Sequence, residues 1–232
     1  MIRSLLVWAF TWIYMVLATA VALPWLLVTR RLGLAYALAR GGVRALLWLA
    51  GVRVRVEGGE RLSGAGPRLY MANHQSNLDP PILLAYLPGE IAFLAKKELF
   101  AVPVLGAVLR MGRLVPVDRG NREAARASVS QAARDLKAGR PYLVFPEGTR
   151  SPDDRLLPFK KGPFYLAEES GVEVVPVGIR GTGRLMPRGT WRIRPGRVTL
   201  TIGAPVGWQE CATAPEPRVE CAARVRQALQ IP

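Results

Sequence analysis

His74 is the only histidine in the chain. It stands in Asn73-His74-Gln75-Ser76-Asn77-Leu78-Asp79, after a short apolar run and before an apolar-patterned stretch. On one continuous helix, residues five apart are about 140° out of phase and do not meet. In a turn leading into a helix that starts at Asp79, the carboxylate can fold back onto the imidazole. That pairing fixes the tautomer, steadies an imidazolium and leaves the other ring nitrogen as a general base. A base of this kind is worth about 10²–10⁴ in rate. The bland alternative is a loop histidine that only satisfies its own hydrogen bonds, so the decision rests on what else gathers near it.

A second group is Phe145-Pro146-Glu147-Gly148-Thr149-Arg150-Ser151, directly after an apolar run that reads as a buried strand. Ligands in α/β sheets collect at strand ends, and this end offers a carboxylate, an open backbone, a hydroxyl and a guanidinium. A third is Val115-Pro116-Val117-Asp118-Arg119, a strand ending on charge. Arginine is the preferred partner of phosphate because of its planar fork of donors, and Lys160-Lys161-Gly162 adds positive charge. The chain has no Gly-rich phosphate loop and no Gly-x-Ser-x-Gly elbow. A covalent serine mechanism therefore lacks support, and single displacement with His74 as base fits better. Cys211 and Cys221 form no disulfide framework or zinc-spaced cluster and read as reduced side chains, with no metal expected.

These residues need a scaffold. Val52–Val56, Arg68–Ala72, Ile91–Ala95, Leu114–Val117, Tyr142–Phe145, Val174–Ile179 and Val198–Ile202 read as strands. Helices are expected at Asp79–Tyr86, Val102–Met111, Asn121–Ala138, Pro163–Ser170 and Arg218–Leu229. Asn121 supplies an N-cap, and Gly139 and Gly171 supply ends. Gly181–Gly189 and Ala212–Pro217 read as loops. The alternation argues for an α/β fold with a mixed, mostly parallel sheet flanked by helices.

The whole chain of 232 residues has a net charge of +15, yet half of it is hydrophobic. That excludes a disordered basic tail. Residues 1–56 hold seven arginines and no acid; the other 176 hold 25 basic against 17 acidic residues. From Ser4 to Thr29 no residue is charged. As a helix this run would measure about 39 Å, against a hydrocarbon core of about 30 Å. Three readings fit: a secretory signal ending near Ala18-Thr19-Ala20, a single membrane span, or two helices lying in one leaflet. In the third, the helices bend near Pro24 and Gly33 and arginines 30, 31, 40 and 44 sit on lipid phosphates.

At the groups above, the chain resembles the glycerophospholipid acyltransferases, specifically the 1-acyl-sn-glycerol-3-phosphate acyltransferases. The blocks occur in order: Asn73-His74 with Asp79, Val115 to Arg119, Phe145 to Ser151, and Val174-Val175-Pro176-Val177. Lys96-Lys97-Glu98-Leu99-Phe100 and Phe159-Lys160-Lys161-Gly162 also look like family elements, and the likeness covers roughly residues 52–208. Pro116 departs from a common Ile or Val. The resemblance implies that His74, held by Asp79, deprotonates the 2-hydroxyl of lysophosphatidic acid, which attacks acyl-CoA or acyl-carrier protein. Arg119 and Arg150, with Lys160 or Lys161, would hold the acceptor phosphate, and Glu147, Gly148 and Thr149 would position the glycerol. It implies no cofactor beyond the thioester co-substrate and no nucleic-acid partner. A cytosolic donor disfavours the secretory signal. The expectation is then a membrane-binding helical segment over 1–50 and an acyltransferase domain over 51–232, at the cytoplasmic face of an inner membrane. Other acceptors remain open: glycerol 3-phosphate, another lysophospholipid or a lyso-aminolipid. So does a non-catalytic protein that binds anionic lipid.

Overall fold

The computed structural model describes residues 1–63, 66–118, 120–153 and 155–229. Two long helices come first, α1 (Ile2–Thr29) and α2 (Gly33–Ala50). A seven-stranded sheet follows: β1 (Val52–Glu57), β2 (Leu69–Ala72), β3 (Ala92–Lys96), β4 (Val115–Val117), β5 (Tyr142–Val144), β6 (Val174–Arg180) and β7 (Gly196–Ile202). The order is β1-β7-β6-β2-β5-β3-β4. Every pair is parallel except β6 with β7. The connections carry α3 (Asp79–Tyr86), α4 (Leu105–Met111), α5 (Arg122–Lys137), α6 (Gly162–Ser170), α7 (Thr182–Leu185), α8 (Trp208–Ala212) and α9 (Pro217–Leu229).

β2 lies at the centre, buried throughout, and the two-residue alternation of a strand splits its side chains between two cores. Tyr70 and Ala72 join Ile82, Leu83, Val175 and Val177 on one face. Leu69 and Met71 join Leu136, Leu166 and Val225 on the other. The first core also takes Val7, Leu47 and Ala50 from α1 and α2, so the N-terminal helices share a core with the α/β unit. The expected cap of α5 is present: Asn121 Oδ1 accepts from the N–H groups of Glu123 and Ala124, each at 3.0 Å.

Some expectations shift. The helix read over Val102–Met111 starts only at Leu105. Pro103 has no N–H and disfavours a helical Val102 before it, and Val104 turns the chain at φ +62°. The stretch read as a loop over Gly181–Gly189 holds the one-turn α7. α1 continues as helix past Pro24 and ends at Thr29, followed by Arg30 in left-handed conformation (φ +55°). Arg40 and Arg44 both bond within the protein. Arg40 donates to the carbonyls of Leu84 (3.2 Å), Leu87 (3.0 Å) and Gly89 (2.5 Å), and Arg44 to that of Ala85 (3.1 Å). Both cap the carbonyl end of α3, where a helix concentrates negative charge. Arg30 and Arg31 are exposed.

Candidate active site

β2 ends at Ala72, and the next residue is clamped to the neighbouring strand. Asn73 Nδ2 donates to Ile179 O (2.8 Å), and its Oδ1 accepts from Ile179 N (2.7 Å). His74 follows. Pro80 and Pro81 sit in the first turn of α3, where a missing N–H costs nothing, and Asp79 opens that helix. Its Oδ2 accepts from His74 Nδ1 at 2.8 Å, Gln75 N at 2.7 Å and Ser76 N at 2.8 Å. The carboxylate is fully buried, and three donors on one oxygen plus the helix N-terminus offset its desolvation. With Nδ1 engaged, Nε2 is the nitrogen left to act. The His74 ring stacks on Phe145 with centroids 4.1 Å apart, and its side chain keeps 16% of its surface exposed. It is thus fixed in direction yet reachable.

The strand-end group closes over the same backbone. Glu147 is buried, and its two oxygens divide the work: Oε1 accepts from His74 N (2.8 Å), Oε2 from Leu157 N (2.7 Å). Burial pushes its carboxyl above the usual range, and the two N–H groups pull the other way. Ser151 N donates to His74 O (2.7 Å). Both backbone groups of His74 are therefore held by residues more than seventy positions away. Gly148 turns the chain at φ +69°, and a Cβ there would come within 3.1 Å of the Lys160 stem. Only glycine meets both demands comfortably.

The remaining residues are placed unequally. Thr149 is exposed and Arg150 half-buried beside Ser151. Lys160 is tied in by its own N–H, which donates to Pro146 O (2.7 Å). Lys161 is the N-cap of α6. Both lysines are exposed and line a cleft of about 470 Å³ with Phe159, Tyr165 and Arg218. Arg119 lies outside the described residues. Its neighbour Asp118 takes Lys97 Nζ at 2.5 Å, which holds the Asp118 carboxyl below its ordinary value. Among the described residues, no three His, Cys, Asp or Glu side chains converge as a metal site would require.

Sequence reasoning missed the holding roles of Asn73, Ser76 and Ser151. Ser76 Oγ donates to Met186 O (2.8 Å). Short polar side chains within a motif set for burial are the available signal for the first two; the N–H of Ser151 carries none. Asn73 and Gln75 also line a cavity of about 890 Å³ with Arg155, Arg180, Arg184 and Arg226, which no spacing in the sequence announces.

The arrangement can hold a polarised imidazole beside a strand-end loop, which suits proton transfer from a hydroxyl. A family model described as Acyltransferase matches residues 53–180. The 1-acyl-sn-glycerol-3-phosphate acyltransferase of Limnanthes alba is 36% identical over 200 residues, covering 82% of this chain and 70% of the relative. The 1-acyl-sn-glycerol-3-phosphate acyltransferase beta of Homo sapiens is 35% identical over 136 residues, covering 58% and 49%. The crystal structure of the 1-acyl-sn-glycerophosphate (LPA) acyltransferase PlsC from Thermotoga maritima matches with a TM-score of 0.82 at 31% identity, covering 99% of this chain and 95% of that one. With the site geometry and these similarities together, the chain belongs to the Acyltransferase family and is an acyltransferase.

Proposed function

We propose that the protein acylates the 2-hydroxyl of lysophosphatidic acid, using an acyl thioester, to form phosphatidic acid. The hydrogen bond of 2.8 Å from His74 Nδ1 to Asp79 Oδ2 carries the reading, and the names of the relatives supply the acceptor. His74 Nε2 takes the hydroxyl proton as the oxygen attacks the thioester carbonyl. The tetrahedral oxyanion then collapses, expelling the thiolate, and the imidazolium returns the proton to sulfur. Asp79 stabilises that imidazolium. Arg150 is part of the loop that holds His74, the Lys160 stem lies against Gly148 of that loop, and both suit the acceptor phosphate; Arg119 is assigned there by motif alone. Acyl-CoA and acyl-carrier protein carry the same reacting group, and either serves this step.

The acceptor is a lipid, and α1 offers the surface from which to take it. Ile2, Leu5, Leu6, Trp12, Ile13, Val16, Leu17, Val21, Leu23, Leu27 and Val28 are all exposed, a stripe at helical spacing along its whole length. The opposite side of α1 is held throughout. Ser4 bonds Ile193, Tyr14 Oη donates to Leu38 O (2.8 Å), and Ala22 is buried. A helix held at its first turns by the α/β unit and farther along by α2 is not free to cross a bilayer at right angles. We place it in the plane of one leaflet, the cytoplasmic one where acyl thioesters occur.

The test is turnover by the purified protein in liposomes, with labelled acyl-CoA and acyl-carrier protein and a panel of acceptors. Lysophosphatidic acid is expected to be favoured over glycerol 3-phosphate and phosphate-free lysolipids. His74→Ala is expected to lose about 10²–10⁴ in kcat while still folding. Near-normal turnover by that variant overturns the mechanism.

A further inference from the structure

One segment of the α/β unit shares the surface of the N-terminal helices. Between Glu173 and Glu210 the chain has six arginines and no acidic residue. Three of them, Arg188, Arg192 and Arg194, lie in the connection 186–195 from α7 to β7, and all three are exposed. None of the three has an ion-pair partner among the described residues. Trp191, at the middle of the connection, is 43% exposed.

The backbone of this connection is nevertheless fixed, and fixed to α1. Trp8 Nε1 donates to Trp191 O (2.7 Å). Ser4 Oγ donates to Ile193 O (3.3 Å) and accepts from Ile193 N (3.1 Å). Ile193 is buried in the same core as Val7, and Arg194 N donates to Leu185 O (2.9 Å). Pro195 packs against Gly51, the residue that ends α2. One turn before Gly51, Trp48 is 79% exposed. The indole of Trp191 and the three guanidinium groups are thus left to solvent on a backbone locked to the first turns of α1, on the side opposite the apolar stripe and about one helix diameter from it.

An exposed tryptophan among arginines is the composition of a membrane-interface anchor. The indole is amphipathic and settles at headgroup level, and arginines near it meet lipid phosphates. We propose that the connection 186–195 is a second membrane contact, with Trp191 in the headgroup layer and Arg188, Arg192 and Arg194 on the phosphates of an anionic leaflet. This rests on the reading of α1 as leaflet-bound and extends it onto the α/β unit. The bonds from Ser4 and Trp8 fix the height of the loop relative to α1, so both enter the interface together.

Flotation of the full chain with vesicles tests this, comparing pure phosphatidylcholine with phosphatidylcholine mixed with phosphatidylglycerol. The triple variant Arg188→Gln, Arg192→Gln, Arg194→Gln is expected to lose about tenfold or more in affinity for the anionic vesicles and little for the neutral ones. High salt should erase the difference between wild type and this variant. Trp191→Ala should weaken binding to both, because its backbone carbonyl, and not its ring, holds Trp8. Melting temperatures and turnover of a detergent-dispersed acceptor should stay at wild-type values, which shows the variants are folded. Wild-type binding of anionic vesicles by the triple variant overturns the proposal and leaves the reading of α1 intact. A wild-type chain that floats with neither vesicle overturns both.

Discussion

Asp79 uses one oxygen for three donors, while Oδ1 has no partner among the described residues. This asymmetry makes Asp79→Asn informative. An amide can set its oxygen where Oδ2 stands and its nitrogen in the unpartnered position. The turn then keeps its three hydrogen bonds but loses the negative charge facing the imidazolium. We expect a small change in stability and a fall in kcat on the order of 10² or more, read by denaturation and turnover side by side. Glu147 is the opposite case, since both its oxygens accept from backbone N–H groups. Glu147→Gln turns one acceptor into a donor facing a donor, and should cost about 1–3 kcal/mol at neutral pH. Its pH dependence has a definite sign. The folded state holds the Glu147 proton to higher pH than the unfolded chain does. Between the two values the folded state binds more protons, so this group's contribution to stability falls as pH rises. Urea titrations from mildly acidic to neutral pH should show that slope in the wild type and lose it in Glu147→Gln.

α3 is held at both ends by groups of different origin. Its first residue is the carboxylate that orients His74, and its last carbonyls are capped by Arg40 from α2. Arg40→Ala should cost about 1.5–3 kcal/mol, the range for hydrogen bonds to a charged group, and speed amide exchange in the last turn of α3. Arg40→Lys should not restore it, because an ammonium cannot fork onto three carbonyls. The local parts of the site were legible in the sequence. The Asp79-Pro80-Pro81 start places a carboxylate within a turn of His74, and the apolar run before Phe145 marks a strand end. What brings those parts together was not legible. Glu147 and Ser151 reach His74 because β2 is seated between β5 and β6, and strand order has no local signature. The bonds of Arg40 and Arg44 to the end of α3 were not legible for a related reason. A guanidinium suits a phosphate and a helix end equally, and only the packing of α2 against α3 decides between them. The positive φ at Val104 is likewise invisible where the pattern reads as plain helix.

At the scale of the molecule, the two cores divide the work. One face of the sheet carries α1, α2 and α3, the other α5, α6 and α9, and the segment from His74 to Asp79 leaves the strand between them. Cys211 and Cys221 lie within the second core, fully buried, and burial pushes the Cys221 thiol up to about 12. Neither should react with iodoacetamide at mildly alkaline pH until the protein is unfolded, as intact mass would show. The outward stripe of α1 has a kinetic consequence. An enzyme lying along a leaflet draws its acceptor from a two-dimensional pool, and its rate follows the mole fraction of acceptor in that sheet of lipid rather than the amount per millilitre. Adding inert phosphatidylcholine at constant total acceptor should slow turnover in proportion, whereas diluting the loaded vesicles with buffer should leave each bound enzyme's rate unchanged.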